Sequence, residues 1–60
     1  MYVIVDRNGE FVTRPGQESS YTRKLERAWV FARRETANAQ ACGNEQVFEV
    51  ESLFVTGVEP

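Results

Sequence analysis

The stretch Thr22 to Gly43 (TRKLERAWVFARRETANAQACG) constrains the fold more than any other. It carries the only long helical pattern in the chain, and β-prone segments flank it on both sides. It also holds the only Trp, the only Cys and five of the seven Lys and Arg residues. Leu25, Ala28, Trp29 and Ala32 fall at i, i+3, i+4 and i+7, which is one face of a helix. Trp29-Val30-Phe31 breaks that pattern, because bulky and β-branched side chains lose rotamer freedom on a helix. Two readings follow. One is a single helix from Arg23 to Cys42. The other, which we favour, is a one-turn helix at Arg23 to Ala28, an extended piece at Trp29 to Phe31 and a second helix from Arg33 to Cys42. Thr22 suits the first N-cap. Gly43, helped by Asn44, suits a left-handed cap at the far end. Ala37 and Ala41, four residues apart, are small enough to let that helix lie close on a sheet.

The flanking segments supply the sheet. Tyr2-Val3-Ile4-Val5-Asp6 is dense in β-branched and aromatic residues with apolar side chains on both faces, the pattern of a largely buried strand. Asn8-Gly9 tolerates positive φ at both central positions of a two-residue turn and is the strongest short hairpin signal, so Phe11 to Arg14 reads as the returning strand. Pro15 to Ser20 is loop. Gln46 to Ser52 alternates, which places Phe48 and Val50 in the core and Glu49, Glu51 and a half-exposed Val47 outside. Leu53-Phe54-Val55 continues apolar, and Thr56 to Pro60 carries no order signal. The expected fold is α+β: a small antiparallel sheet of three to four strands with helical segments packed on one face, in the order ββα(α)β. Residues 1–60 form a single domain, with 52–60 as a flexible or interface-forming tail.

A chain of 60 residues gains only roughly 3–5 kcal/mol from its core. With one Cys and no His it can form neither an internal disulfide nor a Cys/His zinc site. A second subunit or a larger partner is the remaining common support, so a homodimer or a partner contact through Leu53 to Val55 is expected. No charged segment precedes a long apolar run, so no secretory signal is expected. No run is long enough to span a bilayer. Cytoplasmic residence, with a reduced thiol, is the expectation.

The chemistry points away from catalysis. The commonest general base is missing, and Ser19, Ser20 and Cys42 have no imidazole partner. A domain this small has little room for a ligand pocket, and no cofactor or metal is expected. Cys42 reads as a small buried hydrophobe, or as a thiol available for an intermolecular disulfide. Charge remains. The net charge is −2, but Arg23, Lys24, Arg27, Arg33 and Arg34 lie close together, with Arg23 and Arg27 spaced for one helix face. From Asn44 onward there are four glutamates, Glu45, Glu49, Glu51 and Glu59, and no basic residue. Each set reads either as a solvated face or as a contact surface: the arginines for phosphate or carboxylate, the glutamates for mimicry of a phosphate backbone or for a basic groove on a partner protein.

The runs Tyr2 to Phe11 (YVIVDRNGEF), Tyr21 to Phe31 (YTRKLERAWVF) and Arg34 to Ala37 (RETA) resemble a broad group of small phage and prophage proteins. The shared positions are structural: Leu25, Ala28, Phe31 and Ala37 at core spacing, and Gly9 at a turn. The resemblance implies a short turn closed by Phe31 before the longer helix, and it transfers no catalytic residue. Together with the small size it implies an inhibitor of a host protein complex, of the anti-CRISPR or anti-defence kind, acting by surface occupation. The residues expected to make the contact are read from their charge: the acidic strand face, Glu45, Glu49 and Glu51, or the arginines Arg23, Arg27, Arg33 and Arg34. The alternatives are a small nucleic-acid-binding accessory module using the arginines, or a structural subunit docking through its apolar C-terminal stretch.

Overall fold

The computed structural model describes residues 1–51. The expectations for Leu53 to Val55, for the tail and for Glu59 lie outside them. Four antiparallel strands, β1 (Tyr2–Val5), β2 (Phe11–Val12), β3 (Tyr21–Thr22) and β4 (Gln46–Glu49), form one sheet in the order β3-β2-β1-β4. Among the described residues, one helix, α1 (Arg34–Gln40), and one 3-10 turn at Leu25–Arg27 complete the α+β arrangement.

β1 is the centre of the molecule because it is apolar on both faces. Val3 and Ile4, adjacent and therefore pointing to opposite sides, are both fully buried. Ile4 packs with Phe31 and Ala37, joined by Val12, Trp29, Ala41 and Val47. Val3 packs with Ala28 and Val30, joined by Val5, Phe11, Leu25 and Val50. Helix α1 thus covers one face, with Ala37 and Ala41 in the contact as expected. The 3-10 segment and Val30 cover the other.

The broken arrangement of the central stretch is the one observed. Trp29, Val30 and Phe31 run extended and alternate between the two apolar clusters. They take over the row that β2 vacates after Val12. The Trp29 N–H donates to the Val12 carbonyl at 2.9 Å, and Tyr2 and Phe31 exchange two backbone hydrogen bonds of 2.8 Å. This ladder outweighs the helical spacing of Leu25, Ala28, Trp29 and Ala32. Ala32 is exposed as a result.

Four details differ from the sequence reading. Thr22 belongs to a short strand rather than capping a helix from outside it, although its Oγ1 still accepts the Lys24 N–H at 3.1 Å. The first hairpin has positive φ at Gly9 alone (80°). There the Asp6 carboxylate accepts the N–H groups of Asn8 and Glu10, each at 2.9 Å, which holds a three-residue loop instead of a two-residue turn. Helix α1 ends at Gln40, and Ala41 is already extended (ψ 139°). Gly43, at φ 50°, serves the next turn, where the Glu45 N–H reaches the Cys42 carbonyl at 2.8 Å. Cys42 is consequently exposed, not a buried hydrophobe.

The fourth difference lies at one residue of the last strand, Phe48, expected in the core. Ile4 pairs with Val47 and Val3 with Phe48, and paired residues share a face. Val47 therefore joins the cluster under α1, whereas Phe48 is 48 % exposed. Strict alternation could not decide this, because β1 offers apolar neighbours on both sides. Val50 is half-buried against the Val3 cluster, as expected.

Candidate interaction face

β4 is an outer strand: among the described residues it pairs with β1 alone. Its hydrogen-bonding polarity follows from one contact. The Val50 N–H donates to the Met1 carbonyl at 2.7 Å. Bonded and non-bonded pairs alternate along an antiparallel ladder, so Val3–Phe48 and Val5–Gln46 are the next bonded pairs. The backbone N–H and C=O of Val47 and Glu49 therefore point away from β1. The orientation of Tyr2, whose backbone groups turn to Phe31 on the opposite side of β1, agrees with this phase.

Side chains complete the edge. Phe48 and Gln46 stand out on one face, and Glu49 and Glu51 are exposed on the other. Glu45 differs from the other two glutamates. It is half-buried, and its carboxylate bridges two elements, accepting the Tyr21 hydroxyl at 2.8 Å and the Cys42 N–H at 2.9 Å. That hydrogen bond, reinforced by the negative charge of Glu45, raises the Tyr21 pKa above its ordinary 10.0. Glu45 is thus engaged in holding β3 to the turn before β4. The cleft over this bridge, about 390 Å³, is walled by Asp6, Arg7, Tyr21 and Asn44. The carboxylates of Asp6 and Glu45 are both already accepting backbone or hydroxyl protons.

The basic residues do not assemble. Arg23 and Arg27 lack the helical turn that would stack them, since only Leu25–Arg27 is helical there. Arg23 makes a long ion pair with Glu10 (3.8 Å) from a largely solvated position, worth little in water. Arg33 is the exposed residue just before α1. Arg34 opens the helix and lies over the Tyr2 ring, 5.0 Å from its centroid. Such a guanidinium–ring contact contributes about 0.5–1 kcal/mol at an exposed site. Among the described residues no three His, Cys, Asp or Glu side chains cluster as a metal site, and no helix is long and apolar enough to cross a membrane.

Of the seven residues singled out from sequence, the structure places Glu49 and Glu51 together on the β4 edge, turns Glu45 inward to Tyr21, and disperses the arginines. Phe48 is the residue that sequence reasoning missed. The signal for it was the doubly apolar β1, which left the orientation of its neighbour open. Comparison with known proteins adds nothing to this geometry: no family model, no curated protein and no solved structure matches the chain.

Proposed function

We propose that this protein is a non-enzymatic binding protein that acts by occupying the surface of a larger protein complex, with the β4 edge as its contact. The observation that carries the reading is Phe48, an aromatic side chain 48 % exposed on an outer strand, with exposed Gln46 on its own face and the exposed carboxylates of Glu49 and Glu51 on the opposite one. Exposed aromatics with a polar surround are a common anchor of protein contacts. The resemblance to small phage proteins supplies the finer part of the proposal: the complex belongs to a host cell, the encounter is cytoplasmic and the outcome is inhibition of the anti-defence kind. A homodimer through Leu53 to Val55 is a further part of it, tested by whether the molar mass in solution rises with concentration.

The experiment compares the immobilised wild-type chain with Phe48→Asp as baits for a bacterial lysate. The expected result is a host complex retained by the wild type and lost by the variant, with the two proteins equally stable. Equal retention by both, or turnover of a substrate by the chain alone, contradicts the reading.

A further inference from the structure

Resting on that reading, we propose that the β4 edge accepts an extended basic segment of the partner as an additional antiparallel strand. The outward N–H and C=O groups of Val47 and Glu49 offer the four hydrogen bonds of one ladder repeat. Strand addition of this kind takes its affinity from the main chain and its specificity from alternate side chains.

The side chains define the occupant. A residue opposite Phe48 lies on the face away from α1 and meets exposed aromatic surface. A residue opposite Glu49, or opposite Glu51 one repeat on, lies on the other face and meets a carboxylate. The complementary strand therefore alternates apolar and cationic residues. Opposite charges facing each other across strands stabilise the pair, and like charges destabilise it.

The same charges argue against a second copy of this chain as occupant. A two-fold axis relating adjacent antiparallel strands runs normal to the sheet, so each residue meets one of the same face. Centring that axis on Val47 sets Glu49 opposite Glu45, and on Phe48 it sets Glu51 opposite Glu45. Centring it on Glu49 sets that residue opposite itself, and on Val50 it sets Glu51 opposite Glu49. The last two registers oppose two exposed carboxylates, a known device by which edge strands avoid their own kind; in the first two, one of the opposed pair is Glu45, whose carboxylate is already held by Tyr21 and the Cys42 N–H.

The probe is a short capped peptide of strictly alternating Lys and Val, added to the full-length chain. The controls are a Glu–Val peptide and a peptide of the same Lys and Val content in blocks. Amide hydrogen exchange and chemical shifts report the site. The expected result is slowed exchange at Val47 and Glu49 with the alternating Lys–Val peptide only, weakening with salt. Affinity should fall about tenfold in the Glu49→Lys/Glu51→Lys variant. Binding of the blocked peptide with equal affinity overturns the proposal. So does protection of Val47 and Glu49 in the free chain: if it rises with protein concentration the occupant is a second copy, and if not it is the chain's own C-terminal residues. If the Lys–Val peptide leaves β4 untouched while Phe48→Asp still abolishes retention of a host complex, the binding function stands and the basic-strand occupant is wrong.

Discussion

Asp6 shows how much a single side chain decides in a chain without cross-links. Its carboxylate satisfies two backbone N–H groups of the first hairpin. Asp6→Ala leaves those donors without their acceptor, and we expect a loss of about 1–2 kcal/mol in urea denaturation. Gly9 in the same loop holds φ at 80° with open space around it, so Gly9→Ala should cost about 1–2 kcal/mol through backbone strain alone. Tyr21 provides a pH readout. Its pKa is raised by the Glu45 hydrogen bond, so the neutral phenol is favoured in the folded state. The associated stability is present below the ordinary tyrosine pKa and is lost as pH rises through the folded one. In a Tyr2→Phe background, the phenolate absorbance of Tyr21 should appear above pH 10.0 and move down towards that value in Glu45→Gln. Cys42, exposed past the end of α1, should react with a thiol reagent in the native chain without prior unfolding.

At the scale of elements, the hairpin, the interruption at Trp29 to Phe31 and the Ala37–Ala41 contact were legible because each rests on local chemistry: a Gly turn, β-branched crowding, small side chains at helical spacing. The short strand β3 was not. Two residues, Tyr21 and Thr22, carry no periodicity, and their pairing is supplied by β2 across a loop. The end of α1 was read two residues too far because Gly43 looked like a helix cap. The Glu45 carboxylate instead takes the Cys42 N–H and starts a separate turn. The glutamates of the candidate face were visible as a charge run, but its aromatic was not. The order of importance among core elements can be tested directly. Phe31 is buried between α1 and β1 and stacks obliquely on Trp29, with ring centroids 4.7 Å apart. Phe31→Ala should cost about 3–5 kcal/mol, comparable with all the stability a domain of this size holds. Its thermal unfolding should lose cooperativity.

For the whole molecule, the two-sided burial of β1 explains both the fold and the surface left over. With apolar cover on each face of the central strand, a four-stranded sheet closes around Val3 and Ile4, and the outer strand β4 needs only one of its two apolar side chains for the core. Val47 is used, and Phe48 remains. The arginines lie on two separate segments, around the 3-10 turn and at the start of α1, and not along one helix face, so we expect no retardation of DNA or RNA even at low salt, where such contacts are strongest. The most direct measurement of the central claim compares the equilibrium unfolding of Val47→Ser and Phe48→Ser by urea. The account predicts a loss of about 2–3 kcal/mol for Val47→Ser, from removed apolar burial under α1. For Phe48→Ser it predicts a smaller loss, about 1 kcal/mol, since about half of the side chain stands in solvent. The reverse order, with Phe48→Ser the more damaging, would show that Phe48 serves the core and that the proposed contact face does not exist.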